Sequence, residues 1–424
     1  ISGRVMYYDL LQSELNNSST IPLYNFFDLN AKINYVLSES NIISISGLYS
    51  HDHAYNPPTA ADTDYDIEWE NINLSLNWLQ VNTSSLLLNS IFSFIKYKFS
   101  SKIGINPTAI TSYNYFSNSN LTDLYIRQNA ELRWHQDHTL KLGFDLASHN
   151  YDLLYSDAFT EALEKDPYAG KNITSIEASL YFQTESQLTS KFRTNLGGRF
   201  YYFSNQKLLR FEPRVSASYS FTPNFILKGA FAVAHQFLHL IVRNDITLPT
   251  DLWYPSTKRI QPGRSTQFVL GFDTHWFDQT YAFTVEGFYK DMQSLYEFRN
   301  SPQLNPLDDS IENQFTQGQG EAYGVELFLS KQKGDFTGWI GYTLAWSVRQ
   351  FDDLNGGKIY NSRYDRRHDF SVVFAYKLFN NFNVGLTWVY ATGQRYTLPP
   401  GQFIFDPVGV GGSQEVQFNY TGIN

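Results

Sequence analysis

Between residues 322 and 390 apolar and polar side chains alternate so regularly that the backbone must be extended. From Trp339 the chain reads Trp-Ile-Gly-Tyr-Thr-Leu-Ala-Trp-Ser-Val-Arg, with Ile340, Tyr342, Leu344, Trp346 and Val348 on one face and Gly341, Thr343, Ala345, Ser347 and Arg349 on the other. A period of two is a strand. Just before it, Tyr323, Val325, Leu327 and Leu329 oppose Gly324, Glu326 and Ser330, and Gln332-Lys333-Gly334-Asp335 supplies the turn of a hairpin. In a second hairpin Phe370, Val372, Phe374 and Tyr376 face outward, the chain turns at Asn380-Asn381, and Val384, Leu386, Trp388 and Tyr390 return on that face. A polar loop, 351–364, separates the two.

This rhythm of short turn and long loop holds along the chain. After a first strand over 3–9 and a polar loop, Leu29, Ala31, Ile33, Tyr35 and Leu37 alternate with polar partners, turn over 38–41, and return through Ile43, Ile45, Gly47 and Tyr49. Later pairs turn near 81–82, at 136–138, near 189–190, at 222–224 and at 277–279. Long connections are expected over 51–66, 100–121, 151–171, 235–262 and 293–319; one outer connection, 204–209, is short. About 17 strands result, and with that exception every second connection is short between long neighbours, as an antiparallel barrel with unequal ends requires.

Length alone, 424 residues, suggests two or more domains, but repeated hairpins can spend it on one sheet, so 1–424 reads as a single barrel domain. Aromatic and charged residues each make up 17% of the chain, which is aromatic-rich and charge-poor beside an ordinary soluble domain. The longest apolar run is about five residues, too short for a membrane-spanning helix. A transmembrane barrel needs only alternate residues to meet lipid. A formal charge of −9 without a Lys/Arg cluster argues against nucleic acid as a partner. Without cysteine there are neither disulfides nor thiolate metal sites.

Tryptophan placement agrees with a membrane. Trp78, Trp134, Trp276 and Trp339 sit within a few residues of short turns, and the first three continue the apolar face of their strands. Amphipathic indoles favour the membrane–water interface, so these read as a girdle on the short-turn, periplasmic side. A soluble sandwich or propeller would also alternate, but would not keep nearly every strand long with a polar second face.

Several stretches stand in a characteristic order along the chain. They are Gly197-Gly198-Arg199-Phe200-Tyr201 leading to Phe211-Glu212-Pro213-Arg214-Val215-Ser216, then Leu248-Pro249-Thr250-Asp251-Leu252-Trp253 in the largest loop. Ala322-Tyr323-Gly324-Val325-Glu326-Leu327, Tyr364-Asp365-Arg366-Arg367-His368-Asp369 and Trp388 to Gly393 follow in order. Together they resemble the barrel of a TonB-dependent outer-membrane receptor, of the kind common in Bacteroidetes-like bacteria, and the resemblance implies an all-β, antiparallel transmembrane β-barrel of about 22 strands with an amino-terminal plug in its lumen. On that basis the chain is expected to be truncated at both ends, with signal peptide, TonB-contacting segment, plug and first strands missing before Ile1 and the last strands missing after Asn424. Such an opened barrel would expose two unpaired edges.

Catalytic and metal readings are weaker. His51-Asp52-His53 lies at a strand exit with no helix to align ligands, and reads as a solvated surface. Asp62, Asp64 and Asp66 mimic the opening of a calcium loop, but Ile67 stands where that loop needs Gly and Asn73 where it needs Glu. The acid, base and His of 364–369 invite a hydrolase reading, yet their position at a strand start favours a structural ion-pair cluster at the barrel mouth. Neither Gly-x-Ser-x-Gly nor a Walker-type phosphate loop occurs. No catalytic residue, metal ligand or cofactor is assigned.

Inward faces carry Lys32, Arg127, Glu131, Arg133, Lys141, Asp145, Glu177, Arg199, Glu212, Arg214, Glu286 and Glu326, most of them expected to meet water or a plug. Arg127, Glu131, Arg133 and Glu326 in the lumen, Trp253 and Tyr254 in the largest loop, and Arg367 and Asp369 at the mouth are the candidate ligand contacts, because loops on a rigid scaffold carry recognition. The resemblance implies uptake of a scarce nutrient, such as an iron chelate, cobalamin or oligosaccharide, across the outer membrane of a Gram-negative bacterium. Its implied partners are the TonB complex, the protein's own plug, lipid and the small nutrient. The alternatives are a passive porin-like barrel and an outer-membrane barrel hydrolase, the latter resting on His368 and Asp369.

Overall fold

Wherever one side of the chain alternates cleanly, the structure is a long antiparallel strand. The computed structural model describes residues 1–6, 23–56, 63–105, 113–158, 168–241, 252–299, 310–395, 402–405 and 415–418. Its strands are β1 (Ser2–Val5), β2 (Leu23–Ser38), β3 (Asn41–Asn56), β4 (Thr63–Val81), β5 (Leu86–Ile105), β6 (Tyr113–His135), β7 (His138–Ala158) and β8 (Tyr168–Gln187). There follow β9 (Phe192–Phe203), β10 (Leu208–Thr222), β11 (Phe225–Gln236), β12 (Leu238–Ile241), β13 (Leu252–Pro255), β14 (Gly263–Trp276) and β15 (Tyr281–Phe298). The remainder are β16 (Phe315–Lys331), β17 (Phe336–Phe351), β18 (Tyr360–Asn361), β19 (His368–Phe379), β20 (Phe382–Ala391), β21 (Gln402–Phe405) and β22 (Glu415–Phe418).

An 18-stranded sheet holds all but two short hairpins, β12–β13 and β21–β22. Leaving aside the two-residue β18, it is a meander of the expected 17 strands, each antiparallel to the next. Pro213, which lacks an N–H, sits just outside the β10–β11 ladder, whose register begins at Arg214 opposite Ala232. Among the described residues β1 pairs with β2 alone and β20 with β19 alone.

The two faces are chemically opposite. Ile33, Leu124, Leu180 and Leu270 are each at least 60% exposed on the outward face, whereas Asp28, Asp145 and Glu212 on the inward face are under 10% exposed. In water that arrangement would be inverted; it fits a wall with lipid outside. Trp134, beside a short turn, is 65% exposed, as an interfacial girdle demands.

The sheet also curls. Along the ladder, β6 is separated from β15 by seven strand-to-strand steps, which at about 4.8 Å each would span more than about 30 Å if flat. Yet β13 touches β6 while its hairpin partner β12 touches β15. The wall therefore wraps around the β12–β13 hairpin.

The outer connections differ from the sequence expectation. Instead of loops over 51–66, 100–121, 151–171 and 293–319, β3 runs to Asn56 and β4 begins at Thr63, β5 runs to Ile105 and β6 begins at Tyr113, β7 runs to Ala158 and β8 begins at Tyr168, and β15 runs to Phe298 before β16 begins at Phe315. Beyond the lipid band neither face meets hydrocarbon, so the ladder continues while the alternation that reveals it lapses. The expected loops over 235–262 and 351–364 contain β12, β13 and β18. Of the strand expected over 3–9, the part beyond Met6 lies outside the described residues.

Placing Arg at Leu180, in the middle of the outward face, is expected to destabilise the folded barrel by about 2–4 kcal/mol in bilayers. Inward Ser179→Ala on the same strand should cost much less. Urea titration in lipid vesicles measures the difference.

Candidate functional site at the long-connection mouth

The described parts of the connection between β11 and β14, residues 237–241 and 252–262, fold into the mouth of the barrel. Phe237 leaves β11 and is sandwiched by two inward rings of β9, Tyr201 at 4.6 Å and Phe203 at 4.7 Å between centroids. The chain then forms β12 and β13, paired from Leu238 opposite Pro255 to Ile241 opposite Leu252. Ile241, Leu252 and Tyr254 are at most 1% exposed. They pack with Tyr151 and Leu153 of β7, Ile173 of β8 and Tyr296, Phe298 and Phe315 of β15 and β16. Tyr151, Leu153 and Ile173 occupy inward positions that are polar lower down these strands; the hairpin makes them a core.

Polar contacts strap the hairpin to strands far apart in the sheet. Tyr254 donates its O–H to Glu312 Oε1 at 2.8 Å, Lys171 Nζ donates to the same oxygen at 2.8 Å, and Thr257 Oγ1 donates to it at 3.0 Å. Glu312 lies in the 3-10 turn Ile311–Gln314 between β15 and β16. Lys171 Nζ also reaches Tyr254 Oη at 3.1 Å. Gln206, in the short β9–β10 connection, donates to the carbonyls of Thr257 and Ile260. The Gln261 N–H donates to Tyr296 Oη at 2.8 Å, and Trp253 hydrogen-bonds Tyr97 of β5.

These contacts fix the protonation states. Burial pushes the Glu312 carboxyl up, but hydrogen bonds from Lys171 and Tyr254, the Lys171 charge and the Thr257 hydroxyl outweigh it, and its pKa is lowered. Tyr254 is pushed the other way, by burial and then by the Glu312 charge, and stays a donor. His239, stacked edge-on against Tyr296 at 5.0 Å and 3.0 Å from Ser256 Oγ, is pushed down to about 4 because burial disfavours its charged form.

The eight candidate residues do not converge. Arg127 on β6 is 2.5 Å from Asp145, which also holds Arg199 at 3.0 Å and accepts from Tyr125 and Ser179. Glu131 lies 4.0 Å from Lys141, which pairs more closely with Glu185 at 2.7 Å. Arg133 is exposed near the short turn, and Glu326 is exposed on β16 opposite Glu286. Trp253 and Tyr254 belong to the mouth hairpin. Arg367 pairs with Asp365 at 3.1 Å and lies over the Trp346 ring at 4.5 Å. Asp369 faces inward, its Oδ1 3.5 Å from Ser371 Oγ.

The 364–369 stretch is a structural cluster. Asp365, 2% exposed, pairs with Arg367 and Arg395 and accepts from the Ser347 N–H at 2.9 Å. His368 is instead 2.9 Å from Tyr342 Oη, and as neighbours on β19 His368 and Asp369 point to opposite faces, so they form no acid–base pair. Lys171, Gln206, Phe237, His239 and Glu312 carried no local signal: Glu312 and Lys171 are 141 positions apart in sequence.

A family model described as "TonB dependent receptor-like, beta-barrel" matches residues 7–415. No curated protein sequence matches. Similar solved structures include the alcaligin outer-membrane receptor FauA of Bordetella pertussis, with 13% identity and a TM-score of 0.56 over 87% of this chain and 62% of that one. The ferric-catecholate import receptor Fiu of Escherichia coli K12 is 11% identical, TM-score 0.62, over 86% and 63%. The siderophore receptor PiuA of Acinetobacter baumannii is 13% identical, TM-score 0.61, over 88% and 65%. The chain thus spans less than two thirds of the length of each.

Acid should loosen the hairpin in two stages. The folded pKa of His239 is depressed from 6.5 to about 4, so its stabilisation is full above 6.5 and is lost as pH falls towards 4; roughly 2 kcal/mol is gone by pH 5. Glu312 is also depressed, so its contribution is present above its ordinary 4.5 and lost only as pH falls below that. Hydrogen exchange over 238–241 and 252–255 should accelerate between pH 7 and 5, after correction for intrinsic rates, and His239→Gln should flatten that response.

Proposed function

This chain belongs to the TonB dependent receptor-like β-barrel family, and from that premise we propose that it forms the wall of a receptor that captures a scarce nutrient at its outer mouth. The nutrient passes inward when energy delivered through TonB moves a plug held in the lumen. Proteins of this family lie in the outer membrane of Gram-negative bacteria and are transporters, not enzymes. Within the nutrient class we favour an iron chelate over cobalamin or an oligosaccharide, since the similar structures named above are an alcaligin receptor, a ferric-catecholate import receptor and a siderophore receptor.

The observation that carries this reading is the strapped β12–β13 hairpin across the mouth. A passive porin needs an open water path, and a hairpin with its own buried core opposes one. Trp253, half-buried at the edge of that hairpin, is the proposed aromatic contact for the nutrient. Tyr254 is buried and serves to hold the hairpin. Arg127 is engaged by Asp145 and Arg367 by Asp365, so Arg133 and Glu326, exposed and inward, are the more available lumen groups.

Uptake of a labelled ferric chelate by cells carrying the intact protein is the test. Uptake should fall to the level of cells lacking the gene when TonB is deleted or the proton gradient collapsed, and Trp253→Ala should weaken binding at the cell surface. Uptake that survives loss of TonB would instead assign a passive barrel.

A further inference from the structure

Beyond the lipid band, the outward face of β3 and β4 gathers three side chains with metal-ligand chemistry. His53 stands directly opposite Glu68 in the ladder, and Asp66, opposite Tyr55, is two residues away on the same face. One donor atom from each of the three lies within 4.8 Å of the others, and no other such set of three occurs among the described residues. The outward apolar series ends at Tyr49 on β3 and Ile72 on β4, so His53 lies about 13 Å farther along its strand, past the hydrocarbon.

We propose that His53, Asp66 and Glu68 bind a divalent transition cation of the zinc class. One imidazole with two carboxylates suits such an ion, while calcium and magnesium favour oxygen donors alone. His53 Nε2 and Asp66 Oδ1 are 2.9 Å apart. The two atoms hydrogen-bond directly; two donors each about 2.0–2.1 Å from one ion at angles between square and tetrahedral are separated by about 2.9–3.4 Å, so an ion that displaces the shared proton needs little movement of either side chain. The His53 ring is held by stacking on Tyr55, 4.7 Å between centroids and 20° between planes. Asp66 and Glu68, two residues apart on one strand face, place like charges side by side, and an ion between them relieves the repulsion.

Lys98 is the built-in competitor, with Nζ 3.7 Å from Glu68. Both partners are more than a third exposed, so the pair is weak and the lysine can swing into solvent. Because the site is on the outward face, its ion is not on the path through the lumen. Its effect is to clamp β3 to β4 where their ladder rises out of the membrane.

The test is a titration of the intact protein in detergent, without a polyhistidine tag, using Zn2+ by calorimetry and Co2+ by visible absorption. Saturable binding is expected, weakened at least about tenfold by His53→Ala and by Glu68→Gln. Lys98→Ala should tighten binding, a gain that misfolding could not produce, and His51→Ala should leave it unchanged. Absence of saturable binding would reduce the triad to an ion pair and overturn the proposal. Binding unaltered in both His53→Ala and Glu68→Gln would do the same, by assigning the metal to other histidines.

Discussion

Every backbone N–H and C=O that enters hydrocarbon must already have a partner, because no water is there to supply one. A meander of antiparallel strands meets that demand only if each strand is paired on both sides through the full depth of the membrane, and that fixes the remaining features. Side chains must then be apolar on the outward face, which is why Leu180 and Leu270 are exposed rather than buried. The inward face is free to be polar, yet its charges are still largely matched: Asp145 sits between Arg127 and Arg199, and Lys228 between Asp273 and Glu286. Even a glycine serves this wall. Gly143 lies between Asn129 and Tyr181 in register, and its missing side chain lets Tyr181 reach across β7 to hydrogen-bond Asn129; a Cβ there would lie 2.5 Å from the tyrosine oxygen.

The sequence is legible where that constraint acts and silent where it stops. Inside the lipid band two environments face opposite sides of one strand, so Ile33, Tyr35, Ile45 and Leu74 announce strand, face and turn together. Above the band both faces meet water or protein, and the β3–β4, β5–β6 and β7–β8 extensions read as loops although their ladders continue to Asn56, Ile105 and Ala158. The mouth hairpin was hidden for a second reason. Tyr151, Leu153 and Ile173 break the polar-inward rule only because a segment about a hundred residues later covers them, and no local pattern announces a cover of that kind. The Asp365 cluster was readable because Asp365 and Arg367 are two positions apart; the Glu312 cluster was not, because its donors come from β8, β13 and the segment just after β13.

Wall and mouth are held by different forces, and that difference bears on how such a molecule can work. The wall is a ladder in which, among the described residues, each long strand between β1 and β20 exchanges backbone hydrogen bonds with two neighbours. The hairpin and the segments flanking it are joined to that wall by a small apolar core, ring stacking of Phe237 on β9, and a handful of side-chain bonds to β5, β8, β15 and the Ile311–Gln314 turn. The hairpin is a separate two-stranded sheet and supplies no rung of that ladder. Its polar anchors are also the groups whose charge depends on the medium, since Glu312 must be ionised and His239 neutral for the packing to persist. A receptor has to open its mouth to a solute without opening its wall to the membrane. On the proposed reading the first task would belong to the hairpin and the second to the wall, and the two are separate structural elements, the hairpin lying outside the wall's ladder.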